Sequence, residues 1–137
     1  MQSMRFAANF EYLDEIRDFV GDIAQSGGFN DKDVYNIQLA TDEAASNIIE
    51  HSYEGVSDGV LEISCGVKKN TITIILTDNG KSFDPSHVPM PNLKADLSER
   101  QIGGLGLFLM RKLMNEVHYE TDPKNNRNTL TLIKRKG

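Results

Sequence analysis

Two neighbouring stretches of alternating apolar and polar residues constrain the fold of this chain more than any other feature. They cover 60–68 and 71–78, and only Lys69 and Asn70 separate them. The apolar positions are Leu61, Ile63, Cys65 and Val67 in the first stretch and Ile72, Ile74 and Leu76 in the second. Alternation with a period of two indicates a strand with one buried face. The two strands are predicted to pair as an antiparallel hairpin.

The remaining elements follow from the spacing of apolar residues and from turn and capping residues. Further strands are predicted over 4–10, 117–121 and 128–134. Helices are predicted from Tyr12 to the stop at Gly27-Gly28, from the N-cap Asn30 to about Tyr53, and after Gly103. Because the helices are grouped and most strands are linked as hairpins, we expect an α+β fold. It would be a two-layer sandwich, with a mostly antiparallel sheet and helices on one face.

Length and charge narrow the class of protein. The chain has 137 residues, a length that predicts a single domain over 1–137. Its net charge of -5 argues against the basic surface that binding to a nucleic-acid backbone requires. No apolar stretch is long enough to cross a bilayer, and the N-terminus lacks the pattern of a secretion signal. The single cysteine, Cys65, fits a reducing compartment. We therefore expect a cytoplasmic protein that binds neither nucleic acid nor a membrane.

Asp78 is the first polar residue that looks out of place. Strand alternation puts it on the same face as Ile74 and Leu76, which should meet the helices. A carboxylate buried there needs a specific hydrogen-bond partner, because burying it unpaired is costly. The alternative is that Asp78 only starts the turn Asp-Asn-Gly. The alternation leaves both interpretations open.

The second feature is the pair Glu43 and Asn47, which a spacing of four places on one side of the second predicted helix. Asn36 and Glu50 fall in the same sector. A carboxylate beside an amide oxygen suits magnesium chemistry, because Mg²⁺ takes hard oxygen ligands and a free carboxylate can accept a proton. A solvated helix face is the alternative.

The third feature is the run Gly103-Gly104-Leu105-Gly106, which follows a long segment without periodicity from Asn79 to about Ile102. Such long loops usually serve as lids or binding segments. Glycines at a helix N-terminus let a phosphate approach free N–H groups. The run matches neither the P-loop nor the dinucleotide fingerprint, and glycines also make plain turns.

Taken in their order along the chain, these three features resemble the nucleotide-binding boxes of the GHKL (Bergerat-fold) ATPase superfamily. The resemblance covers about residues 5 to 135. The glutamate-asparagine pair matches its first box, Thr77-Asp78-Asn79-Gly80 its Asp-x-Gly box, and the glycine run its last box. Within that superfamily, three phrases resemble the bacterial anti-sigma-factor serine kinases: 42–53, Ser82-Phe83-Asp84-Pro85 and 103–113. Ser82 departs from the pattern, since many relatives have a second glycine there, and it receives no ligand role.

The resemblance implies a role for each matching residue. Asp78 would accept a hydrogen bond from the adenine amino group, and Asn47 would hold Mg²⁺ against the phosphates of ATP. Glu43 would be the general base, or would orient the substrate hydroxyl. Residues of about 79–102 would form the ATP lid. The other implied nucleotide contacts are Gly80, the backbone N–H groups of Gly104, Leu105 and Gly106, and Thr129 near the adenine.

The same resemblance implies an ATP-dependent serine kinase and anti-sigma regulatory factor. Such a protein phosphorylates a serine of an anti-sigma-factor antagonist with a STAS domain, sequesters a sigma factor, and is commonly a homodimer. The alternative is a partner-switch module that holds nucleotide without transferring phosphate, although such a module need not keep both Glu43 and Asn47. A kinase domain cut from a two-component sensor would need a dimerisation helix pair, for which 137 residues leave no room.

Overall fold

The computed structural model describes residues 1–53, 55, 58–81 and 104–137, with the side chains of the last range described from Phe108 onward. The strands are β1 (Gln2–Ala7), β2 (Val60–Lys68), β3 (Thr71–Asp78), β4 (Glu116–Asp122) and β5 (Arg127–Arg135). The helices are α1 (Leu13–Ser26), α2 (Asp31–Asn47) and α3 (Gly104–Leu113). A 3₁₀ turn at Phe10–Tyr12 precedes α1, and a π-helical turn at Ile48–Ser52 follows α2. This element order is the predicted one.

The five described strands form one sheet in the order β1-β2-β3-β5-β4, and every neighbouring pair is antiparallel. The predicted hairpin of β2 and β3 is confirmed. Its turn residues Lys69 and Asn70 have φ angles of 50° and 63°, the left-handed pair that a two-residue hairpin with the native twist requires. The register places Asp78 opposite Leu61 on one side and Asn128 on the other.

The first strand and the second helix differ from their predicted limits. The strand predicted over 4–10 begins at Gln2 and ends at Ala7, because the Asn9 side chain accepts a hydrogen bond from the N–H of Glu11 at 3.0 Å and starts a 3₁₀ turn. The second helix has the predicted N-cap, with Asn30 Oδ1 accepting from the N–H of Asp33 at 2.8 Å. Its α-helical part ends at Asn47 rather than near Tyr53, and the π-helical turn follows.

The helices cover one face of the sheet and bury the core against it, as predicted for the α+β sandwich. Alternate strand residues point into this layer, while the residues between them are half-buried or exposed on the other face. The fully buried side chains include Ile63, Ile74, Leu76 and Leu132 from the sheet and Ile16, Val20, Ile37 and Met110 from the helices. Among the described residues, no helix combines the length and the apolarity needed to span a membrane.

Candidate functional site

Asp78 ends β3 on the helix-facing side of the sheet. Only 2% of its surface is exposed, so the alternation that placed it on the buried face was informative. Its Oδ1 accepts hydrogen bonds from the N–H of Gly80 and from Nδ2 of Asn128, both at 2.9 Å. The hydrogen bond from the N–H of Gly80, two residues further along the chain, forms an Asx turn. Asp78 therefore both starts a turn and carries a buried carboxylate, and the two sequence interpretations are compatible.

The pKa of Asp78 reflects two opposing effects. Burial raises the pKa above its ordinary value, and hydrogen bonds from Asn128, the Gly80 N–H and the Ser52 hydroxyl hold the increase back. A carboxylate offers about four acceptor positions on its two oxygens. Three donors do not use them all, so Asp78 retains the capacity to accept a further hydrogen bond.

The side chain of Tyr53 joins the strand ends next to Asp78. Its ring is buried, and its hydroxyl donates to the carbonyl of Val60 at 2.6 Å and accepts from the N–H of Asn79 at 2.9 Å. Gly59 makes room for the ring, since a Cβ there would lie 2.6 Å from the Tyr53 ring. The two hydrogen bonds of the Tyr53 hydroxyl therefore fix the distance between the start of β2 and the end of β3.

The π-helical turn packs directly on the loop after Asp78. The carbonyl of Ser52 accepts from the N–H of Lys81 at 2.6 Å. A Cβ on Gly80 would lie 2.3 Å from the same carbonyl oxygen, so glycine is required by close approach of two backbones. On the other side, Asn79 and Asn126 exchange side-chain to backbone hydrogen bonds of 2.7 and 2.9 Å. The loop is supported from both sides.

Glu43 and Asn47 are not a solvated helix face. Asn47 is 6% exposed, and its Nδ2 has no hydrogen-bond partner among the described residues. Glu43 is half-buried; burial first, and then the charges of Asp42 and Glu50, raise its pKa above the ordinary value. A buried amide with unused hydrogen-bonding capacity and a carboxylate that holds its proton more tightly are typical of a site that meets a polar ligand.

The residues next to this pair can be tested for their fit to Mg²⁺. No group of three or more His, Cys, Asp or Glu side chains lies close together in the described ranges. Mg²⁺ is commonly held by one or two protein oxygens together with substrate phosphates and water. The side chain of Asn47 offers one amide oxygen, which is the ligand type that such a sparse site takes, and its unpartnered Nδ2 can donate to a phosphate or a water.

The predicted glycine run opens α3, which begins at Gly104 and includes Leu105 and Gly106. The helix is held in place by Met110 and Met114, which are buried in the core, and by Lys134, whose Nζ donates to the carbonyl of Leu113 at 2.8 Å. The predicted lid covers about 79–102, and only its first three residues, up to Lys81, are among the described residues. Ser82 and Gly103 lie outside them.

Thr129, the predicted polar contact near the adenine, lies on the face of β5 away from the helices. In β5, Asn128, Leu130 and Leu132 are buried, and Thr129 is half-buried between them. Its neighbour across the strands is Thr77, on the face away from the helices. Because side chains alternate between faces, Asn128 rather than Thr129 lies beside Asp78, and the contact of Thr129 near the adenine stays a prediction.

Sequence reasoning assigned no role to three residues of the site: Asn128, Ser52 and Tyr53. Asn128 carried a usable signal, because it has the same parity as Leu130 and Leu132 in a predicted strand. That is the argument that singled out Asp78. Ser52 and Tyr53 carried no such signal, since they lie in and after a π-helical turn that helical spacing does not predict.

The chain is similar to known proteins over most of its length. A family model described as a histidine kinase-like ATPase domain matches residues 6–134. The chain is 33% identical over 124 residues to the serine-protein kinase RsbW of Bacillus licheniformis, covering 87% of this chain and 77% of the relative. It is 32% identical over 136 residues to RsbW of Staphylococcus epidermidis, covering 96% of this chain and 84% of that protein.

Two solved structures share the fold at low sequence identity. One is a crystal structure of the RsbU and RsbW domains of Rv1364c from Mycobacterium tuberculosis, with a TM-score of 0.64 and 16% identity; the match covers 98% of this chain and 32% of that one. The other is the SiaB–SiaC complex from Pseudomonas aeruginosa, with a TM-score of 0.59 and 12% identity, covering 98% and 89%.

Proposed function

The chain belongs to the histidine kinase-like ATPase domain family, and from this premise we propose that it is an ATP-dependent protein serine kinase that also acts as an anti-sigma regulatory factor. One observation carries the nucleotide part of the proposal. Asp78 is a carboxylate buried at a strand end, held by amide and hydroxyl donors, with acceptor capacity left over. A purine amino group supplies the donor that such an acceptor lacks.

The phosphates would lie between α2 and the start of α3. Gly104, Leu105 and Gly106 form the first turn of α3, where free N–H groups and the helix dipole favour an anion. Asn47 would hold Mg²⁺, which neutralises phosphate charge when it is bound. The unpartnered amide of Asn47 and the absence of side chains on the glycines support this arrangement.

Glu43 is the proposed general base. The hydroxyl oxygen of a substrate serine bonds to the γ-phosphorus, the bond from that phosphorus to the β,γ-bridging oxygen breaks, and the serine proton passes to the Glu43 carboxylate. Burial and the charges of Asp42 and Glu50 raise the pKa of Glu43, which strengthens it as a proton acceptor once it is ionised.

The protein substrate is proposed to be a serine of a STAS-type anti-sigma-factor antagonist, and the second partner a sigma factor held by a homodimer of this chain. The names of the relatives, which are serine-protein kinases, support the reaction class. A phosphoryl group adds nearly two negative charges to the antagonist. Repulsion between that dianion and this chain, whose net charge is -5, would favour release and free the surface for the other partner.

A transfer assay on Glu43→Ala tests the reaction. With ATP labelled at the γ-phosphate and a STAS-domain antagonist, the variant should transfer label at least about a hundredfold more slowly, the usual worth of a general base. Its affinity for ADP should remain within about threefold of the unsubstituted chain. Asp18→Asn, which removes one exposed charge from α1, is the matched control and should keep full transfer.

Full transfer by Glu43→Ala would contradict its role as base. Absence of transfer by the unsubstituted chain, together with intact ADP binding, would instead favour the non-catalytic partner-switch module.

In the active chain, the transfer rate should rise with pH as Glu43 ionises. The midpoint should lie above the ordinary glutamate pKa, because burial raises the pKa of Glu43.

A further inference from the structure

We propose that the hairpin end of the sheet binds a short acidic segment of a partner protein, which inserts one apolar side chain beside two lysines. The surface lies on the face away from the helices, where β2 ends and β3 begins. Asp78 is at the other end of β3, seven residues after Thr71, which is about 23 Å in an extended strand. The surface is therefore separate from the proposed nucleotide site and does not depend on it.

A cavity of about 460 Å³ opens on this face, a volume typical of cavities that hold ligands. Gly66 belongs to the set of β2 residues that face away from the helices. Because it has no side chain, it leaves a gap in the sheet surface that another chain can approach closely. The other residues around the cavity include Met1, Lys68, Lys69, Thr71 and Thr73. Met1 and the threonine methyl groups can contact an apolar side chain that enters it.

Lys68 and Lys69 place two positive charges beside the cavity. Both are exposed, and neither forms an ion pair with a carboxylate of the described residues. Arg135, the neighbour of Thr71 across β3 and β5, is already paired with Glu116. The two lysines are therefore the cations of this surface that remain available to carboxylates from another chain.

The charge of the whole chain favours a short segment over a long polyanion. Asp and Glu number 20 against 15 Lys and Arg, so a nucleic acid that extended past the cavity would be repelled. Two lysines would also neutralise too few phosphates to hold a nucleic acid at physiological salt. A peptide can place its carboxylates at the lysines alone. Since each exposed ion pair contributes little, the apolar side chain in the cavity would supply much of the affinity.

A pentapeptide of four glutamates around a central leucine, blocked at both ends, is the probe. We expect its titration into the ¹⁵N-labelled full chain, without nucleotide, to shift the amide NMR signals of residues 66–73 saturably. The amide signals next to Asp78 should stay in place. A second peptide with alanine at the centre should bind at least about fivefold more weakly, because it buries less apolar surface in the cavity.

Two variants separate the contribution of the charges from that of the cavity. The double variant Lys68→Gln, Lys69→Gln removes both ammonium groups and should weaken binding of the leucine peptide at least about fivefold. Gly66→Val fills the cavity without a change of charge and should abolish the difference between the two peptides. The nearest atom to the new Cβ would be Cγ of Met1, at 3.0 Å, and valine suits a strand. Should this variant fail to fold, Thr73→Leu fills the same cavity.

Matched controls make the same changes elsewhere in the sheet. The double variant Lys124→Gln, Arg127→Gln removes two exposed positive charges at the opposite end of the sheet. Ser64→Val adds a valine to the same face of β2, next to the cavity but outside its lining. Both controls should leave the affinity for the leucine peptide within about twofold of the unsubstituted chain.

Three results would overturn the proposal. The first is no shift of the 66–73 amide signals at millimolar leucine peptide. The second is an equal loss of affinity in the lysine variant and its control, which would mean that overall charge attracts the peptide. The third is tighter binding of short duplex DNA, or of phosphatidylserine vesicles, than of the peptide at these same residues. Failure of the proposed function would appear separately, as absence of ADP binding by the unsubstituted chain.

Discussion

At the scale of single residues, the buried carboxylate of Asp78 lowers the free energy of unfolding, and a bound ligand would offset that loss. Burial raises the pKa of Asp78 in the folded state. A raised pKa means that the folded state binds the proton more tightly than the unfolded chain does. This residue therefore favours folding below its unfolded pKa, and that contribution is lost as the pH rises through the folded pKa. Above the folded pKa, the ionised carboxylate lowers the free energy of unfolding.

Asp78→Asn should therefore stabilise the ligand-free protein at neutral pH while impairing the site, a trade-off typical of binding residues. Asn128 Nδ2 and the Gly80 N–H can still donate to an amide oxygen at this position. Thermal unfolding should show a Tm higher by a few degrees at pH 7 and no such gain at pH 3. Asp22→Asn removes a charge from an exposed position of α1 and should change Tm little. A lower Tm for Asp78→Asn at pH 7 would show that the carboxylate is stabilising.

Residue-level prediction from sequence worked where a polar side chain interrupted a regular period. Asp78 broke the alternation of β3, and Asn47 turned out to be buried. For Thr129 the resemblance and the alternation of β5 point different ways, because Leu130 and Leu132 are buried and Thr129 lies on the other face. Residue-level prediction assigned nothing to Tyr53, whose two hydrogen bonds join segments distant along the chain.

At the scale of elements, the π-helical turn after α2 positions the site. The extra residue of a π-helical turn changes which side chains face the sheet, and such turns are frequent at functional sites. Here the turn brings the Ser52 carbonyl against Gly80 and Lys81. The sequence predicted one continuous helix to about Tyr53, because no residue between Asn47 and Tyr53 breaks a helix.

Gly80→Ala tests that contact. The added Cβ would lie 2.3 Å from the Ser52 carbonyl oxygen, so either the turn or the loop must move. Overpacking of this kind costs about 1–3 kcal/mol, and we expect that loss in chemical denaturation, together with weaker ADP binding.

Gly66→Ala is the matched control, because the nearest atom to its Cβ would be Cγ of the Met1 side chain, at 3.0 Å. It should cost less than about 0.5 kcal/mol. Equal losses for the two variants would show that Gly80 is not required by a specific backbone contact.

At the scale of the whole molecule, the site lies where several elements end. The start of β2, the end of β3, the start of β5 and the turn after α2 meet around Asp78. A sandwich with helices on one face leaves its strand ends as the place where buried polar groups can meet a ligand. The element order and the antiparallel pairing were predictable, because each strand and helix has a clear period. The sheet order β1-β2-β3-β5-β4 depends on contacts between distant segments, and the pattern of single elements does not specify it.

The central claim is that the buried carboxylate of Asp78 is there to bind a purine amino group. Calorimetric titration of ADP with Mg²⁺ into the unsubstituted chain and into Asp78→Asn tests it most directly. We predict saturable binding to the former and an affinity at least about tenfold lower, or about 1.4 kcal/mol, for the latter. No heat of binding at millimolar ADP, or equal affinities for the two proteins, would contradict the claim.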